Sequence, residues 1–494
     1  MIYRILTFIS MSVRKYVLFI LMAISVFVLS QCFSIDDERE KKIVTGQCGS
    51  CHTPPDPESL TQEIWKSSVL PQMSIYFQWE GSSSYEYANK SFYRKKATLP
   101  MNDKTWALIE SYYVDNSPIE MIIREESAHK IQDLFQEIPF SNICGTPSIS
   151  AMLIDDKDKI YCACNGALVC LSHLKDVDTL LRSESIISDI ERVDEENLLL
   201  LNMGVLGPHD TPQGSLNLFD ETDKKEATIV SQLYRPVKVS ITDDHYLISE
   251  YGNNRGRFSS INKSSLQHTS LIELPGSYQN FLVDIDKDGT TERIIQFSQG
   301  LEGIYMMNED DEKIDYKRII SFPPEYGFSD LDTADMNQDG LLDLIISNGD
   351  NADYSYIEKS YHGVRIFLND GKGQFIEDYF YPMYGATQLS VHDFDGDGDQ
   401  DIVVSAFFPH DQSKSIILLT QDDSNKLSFE DSYMESSQDG RWLVMEDGDV
   451  DADGDIDIVL ASFVAGPTND KPSVLKGWLD KSVDILILLN KSQN

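Results

Sequence analysis

Basic residues are scarce. Lys and Arg number 41 against 81 Asp and Glu in 494 residues, a formal charge of −40, so the surface field repels phosphate backbones and nucleic acid is excluded as a partner. Tryptophan (5), histidine (9) and cysteine (7) are also few. No G-x-S-x-G, H-E-x-x-H or phosphate-loop motif occurs, and His209, His362 and His410 are scattered without ligand spacing. The common signatures of serine hydrolysis, zinc peptidase chemistry and nucleotide binding are therefore missing. Beyond residue 30 there is no long apolar run, and Tyr16 to Ser30, about 15 residues, falls short of the ~20 needed to cross a bilayer. What is plentiful is core-forming material, 41% of the chain, which excludes a largely disordered protein and leaves room for two or more domains.

The short apolar run follows Arg14 and Lys15 and ends at Leu29-Ser30-Gln31-Cys32, the order of a secretory signal over residues 1–31. Cys32 at that place resembles the cysteine of a bacterial lipoprotein box, although Gln31 departs from the small residue usual there. The resemblance implies cleavage, lipidation of Cys32, a tether over 32–39, and an outer-membrane or cell-surface lipoprotein facing periplasm or exterior. Exported chains tolerate disulfides, and Cys144, Cys162, Cys164 and Cys170 are the candidates. The hairpin implied by Asn165-Gly166 sets Cys162 opposite Val169 and Cys170 opposite Tyr161. Those two thiols then point to opposite faces, which argues against a bridge between them.

Cys48-Gly49-Ser50-Cys51-His52 is C-x-x-C-H, in which two thiols bind the vinyl groups of one haem and the adjacent histidine reaches the iron. No second pair of zinc ligands lies nearby, and no strand-helix pattern suggests a thioredoxin-like dithiol. Residues 40–116 resemble a small monohaem cytochrome c, an all-α domain with the motif on its first helix and a closing helix over Asp103 to Val114. That helix is capped by Asn102 or Asp103, with Trp106, Ile109, Tyr112 and Tyr113 on one face. The resemblance implies one covalent haem c per chain, with a thioether as sixth ligand from Met73 or Met101, both shortly after a Leu-Pro. Met73 is favoured, because Met101 is placed to staple the closing helix.

Four loops share one spacing: Asp284, Asp286, Asp288 with Glu292; Asp335, Asn337, Asp339 with Asp343; Asp393, Asp395, Asp397 with Asp401; Asp449, Asp451, Asp453 with Asp457. Oxygen ligands at positions 1, 3, 5 and 9 around a position-6 glycine suit one Ca2+ each. Position 12 is Ile295, Ile346, Val404 or Leu460 rather than Glu, which excludes EF-hands; each loop instead enters an apolar run of strand length. The loops begin 51, 58 and 56 residues apart, a propeller-like period. With the hairpin around Asp370-Gly371-Lys372-Gly373 they resemble FG-GAP and VCBS repeats, which implies an all-β propeller over 142–494, of seven blades, after a linker over 117–141.

The expected whole is a multidomain protein: a small all-α haem domain followed by a calcium-binding propeller. The leading functional expectation is electron transfer to a redox partner protein, with the propeller docking a glycan or protein ligand and the lipid holding the chain to a membrane. Alternatives are a propeller enzyme, of quinone-dehydrogenase or polysaccharide-active type, with haem as electron acceptor, or a surface adhesion or scaffold protein.

Overall fold

A computed structural model describes residues 38, 40–50, 52–77, 101–123, 128–155, 159–285, 287, 289–308, 315–350, 357–423, 426–466 and 470–492. Cys32 and the signal segment, Cys51, Asp286 and Asp288 lie outside the described residues.

Short antiparallel strands recur from residue 130 to the end, and they sort into seven sheets. The first six blades span 149–182, 186–233, 236–272, 277–321, 328–382 and 386–433. In each, the first strand is innermost and the others follow outward in chain order, a seven-bladed propeller. The seventh blade uses Trp442–Gly448, Asp457–Ser462 and Val483–Asn490, and takes its outermost strand from Phe135–Ser141. That strand lies within the span read as linker. It pairs antiparallel with Val483–Asn490, closing the ring with one piece from each end of the repeat region. Lys130–Ile131 adds a short parallel edge to the sixth blade.

The second strands carry the core. Glu292–Phe297, Asp343–Asn348, Asp401–Ala406 and Asp457–Ser462 are buried at every position, as the apolar runs behind the acidic loops required. The expected hairpin also forms, with Cys162 opposite Val169 and Cys170 opposite Tyr161. Both of those thiols are free, while Cys144 and Cys164 form the disulfide found among the described residues.

Ahead of the ring lies a helical module. Residues 40–48 are helical up to Cys48. A second helical stretch runs through Gln62–Ile64, Trp65–Val69 and Leu70–Tyr76, its middle piece wound as a π-helix in which the Leu70 amide reaches the Trp65 carbonyl. Pro71 supplies the reason: it has no N–H to give residue 67, so the preceding turn widens. The closing helix is Asp103–Asp115, capped by the Asn102 side chain on the Thr105 amide at 3.0 Å. The three pieces share one core built on Val44, Trp65, Trp106, Ile109 and Tyr113, with Trp65 against Tyr113 at 4.3 Å between ring centres.

Antiparallel strands alternate the ends at which their turns open. The acidic loops all join first and second strands, so they lie on one face of the ring. Second-to-third turns and blade-to-blade connections open on the other face. There the helical module docks: the Tyr361 hydroxyl donates to the Ser59 carbonyl at 3.1 Å, and the hydroxyls of Thr53 and Ser321 meet at 2.7 Å.

Candidate functional sites on two faces

Between the helical module and the ring lies a largely apolar cavity of about 120 Å³ that opens to solvent. Cys48, His52 and Met73 all line it, among Leu60, Trp65 and Phe77. Trp65, Val69, Leu70, Met73 and Phe77 share a stripe of the broken helix, so the π-turn keeps this face continuous up to Met73. Met101 is not on the cavity wall but is packed into the adjoining core. His52 has Nδ1 2.9 Å from the Thr53 carbonyl. In the tautomer that donates this bond, the lone pair is on Nε2, the arrangement a metal-binding imidazole uses. Burial holds the His52 ring below its ordinary pKa, which favours that neutral form. A buried thiol, a neutral imidazole and a thioether around one largely apolar cavity are groups that fit a covalently attached haem.

On the opposite face the four acidic loops are built alike. The position-1 carboxylate accepts the position-6 glycine amide in each: Asp284 from Gly289 at 3.2 Å, Asp335 from Gly340 at 2.7 Å, Asp393 from Gly398 at 3.0 Å, Asp449 from Gly454 at 3.1 Å. Those glycines sit at φ +90, +86, +98 and +99°. A Cβ at Gly398 or Gly454 would touch nothing within 4 Å, so glycine is needed there for the backbone angle rather than for space.

Position 9 differs from the other ligand positions. Asp401 is fully buried; one oxygen accepts the Phe394 amide at 3.0 Å and the other the Gln421 amide at 2.9 Å. Asp343 and Asp457 repeat the pattern with Met336 and Asn369, and with Val450 and Asn490. Burial, helped by neighbouring acids, pushes Asp401 up to about 7 and Asp343 and Asp457 to about 6. Repulsion of this kind is what a bound cation relieves.

Among the described residues, carboxylate oxygens converge within 4.8 Å in two places, on Asp393, Asp395 and Asp401, and on Asp449, Asp451 and Asp453. These are the two most acidic loops in the sequence. Asp397 and Asp457 stand beside these groups, outside the converged sets. In the Asp335 loop the Asn337 amide nitrogen donates to Asp339 at 3.1 Å. Of the Asp284 loop, Asp284 and Glu292 are described, with Glu292 accepting the Ile285 amide at 3.2 Å.

Sequence reading missed a second set of residues. Asn369, Gln421 and Asn490, on the third strands of blades five, six and seven, each donate to the position-2 carbonyl of the preceding blade's loop: Ile285 at 2.7 Å, Met336 at 3.1 Å, Phe394 at 2.9 Å. The Asp284, Asp335 and Asp393 loops are thereby latched to the next blade.

Residues 347–404 match the FG-GAP-like repeat family. The match runs from the fifth blade through the Asp393 loop. A comparison with curated proteins finds no match. Among solved structures, the chain is similar to a catalytically inactive virginiamycin B lyase from Staphylococcus aureus with quinupristin (11% identity, 72% of this chain and 100% of that one, TM-score 0.44). It is also similar to a putative 6-phosphogluconolactonase from Bacteroides fragilis (13%, 58% and 84%, 0.41) and to the N-terminal domain of Nup159 (11%, 74% and 98%, 0.41). No described helix is long and apolar enough to cross a membrane.

Proposed function

We propose that the chain is an exported, lipid-anchored haem c protein that passes single electrons, with a calcium-stabilised propeller as its docking module. The observation that carries the reading is the grouping of Cys48, His52 and Met73 on one apolar cavity. Cys48, with Cys51 of the same motif, would hold the haem covalently; His52 would present Nε2 to the metal; Met73 rather than Met101 would supply the thioether. When bound, haem c supplies a one-electron couple. The chain's own residues do the rest. Leu60, Trp65 and Phe77 give the cavity its apolar lining, and the Thr53 carbonyl orients the His52 ring.

On the other face, the Asp284, Asp335, Asp393 and Asp449 loops would bind up to four Ca2+, the last two most tightly because their carboxylates already converge. The ring's remaining surface is free to meet a redox partner protein or a glycan or protein ligand, and Cys32 would anchor the chain to a membrane. The test is haem content of the full chain matured in a cell with cytochrome c assembly machinery. Pyridine haemochrome analysis should return one covalent haem per chain, and Cys48→Ser should weaken or abolish the attachment. A colourless wild-type chain from a competent host would refute the reading.

A further inference from the structure

One wall of the cavity comes from the propeller. Asn254, Gln299, Gly300 and Glu302 arrive on second-to-third turns of blades three and four, and Pro324 and Glu325 on the connection into blade five. Glu325 stands out among them. It is 8% exposed, and no hydrogen bond of normal geometry reaches either carboxylate oxygen, although the Ser59 hydroxyl and the Asp56 backbone lie near enough to favour the charged form. The nearest hydroxyl, on Ser59, is committed to the Asp56 carbonyl at 2.6 Å. Glu302 is buried as well, but the Phe328 amide donates to it at 3.1 Å. Burial favours the neutral acid and pushes Glu325 up to about 8, so that it exchanges a proton in the range above neutrality.

We propose that Glu325 is a proton-binding group coupled to the redox state of the cofactor held by Cys48 and His52, so that the propeller takes part in setting the potential of the helical module. The proposal rests on the haem reading above. An electron added to a low-dielectric cavity raises the proton affinity of a carboxylate on its wall. One electron enters from a one-electron donor, and one proton passes from solvent to a Glu325 oxygen, forming an O–H bond; both leave on reoxidation. Other groups face the same region: Tyr113 and Asp56 from the helical module, and Tyr326, Lys359, Tyr361 and His362 from blade five and the connection before it. Burial and neighbouring charge move the three tyrosines upward, away from neutrality, and hold His362 far below its usual value. Glu325 is therefore the group among these placed to titrate near pH 8.

The experiment is a mediated spectroelectrochemical titration of the haem-loaded full chain from pH 6 to 10, for wild type, Glu325→Gln and Glu325→Asp. The wild-type midpoint should fall as pH rises through the window around 8, by at most a tenfold change in electron affinity per pH unit, about 59 mV for one electron. Glu325→Gln should be flat across that window, and Glu325→Asp should keep a slope in a displaced window, showing that the cavity still folds. The cofactor's own carboxylates are common to all three proteins. Haem present with the same slope in wild type and Glu325→Gln, or with no slope in wild type, overturns this proposal and leaves the haem reading standing. A chain that carries no haem overturns both.

Discussion

The two faces of the ring solve opposite problems. On one, the chain gathers a buried thiol, an imidazole and a thioether around an apolar cavity with aromatic walls, the setting that the proposed electron site would need. On the other, it exposes Asp393, Asp395, Asp449, Asp451 and Asp453, the oxygen ligands that the proposed calcium sites would use. Between the faces run fully buried second strands, which tie the loop end of each blade to the cavity end. The comparison teaches that turn alternation alone separates the apolar cavity and the acidic loops onto opposite sides of the ring.

Removing the cation should produce the largest effect. A chelator such as EGTA should lower the unfolding temperature strongly, since each site loses ~2.7 kcal/mol when calcium had stood a hundredfold above its dissociation constant. The visible spectrum of the haem-loaded protein below that temperature should not move; a spectral change on chelation would break the separation of faces. Next comes Asp401→Ala, which leaves the Phe394 and Gln421 amides without an acceptor. At ~2 kcal/mol for each orphaned amide it should cost ~4 kcal/mol even in chelator, by denaturant titration. Asp395→Ala, exposed and with one backbone bond from Asp397, should matter only when calcium is present.

The first blade holds itself by other means. Cys144 to Cys164 closes a loop with a sequence separation of 20, so Cys144→Ser should cost ~3 kcal/mol under non-reducing conditions, equally with and without calcium. The smallest expected effect is a pH slope from two acids on Phe328–Ala334, the innermost strand of blade five. There Asp330 is pushed up to about 8 and Asp332 to about 6, mainly by burial. Their folded pKa values exceed the unfolded ones, so the folded chain holds more protons between about pH 4 and 8. Stability from these two groups therefore falls as pH rises through that window, and Asp330→Asn should flatten the upper part of the slope in urea melts.

The acidic loops were legible because their shared turn is built from consecutive residues, so that the Asp-x-Asp-x-Asp-Gly rhythm can be read without any tertiary information. The Cys162 hairpin was legible because Asn165-Gly166 fixes its own turn. The closing strand Phe135–Ser141 was not: Pro139 in its middle speaks against a central strand, yet it sits at an outer edge where the missing N–H faces no partner. The latches from Asn369, Gln421 and Asn490 join residues 84, 85 and 96 positions apart, a distance at which an isolated Asn or Gln carries no signal. Glu325 was invisible for the same reason, since its burial depends on the helical module docked over blade five.

The central claim is that Cys48, His52 and Met73 form one haem site. Its most direct test is the oxidised visible spectrum of the matured full chain beside Met73→Ala and Met101→Ala. The account predicts a sulfur-to-iron charge-transfer band in wild type and in Met101→Ala, and its loss in Met73→Ala. A band that survives Met73→Ala and disappears in Met101→Ala, or a matured wild-type chain that shows none, would contradict it.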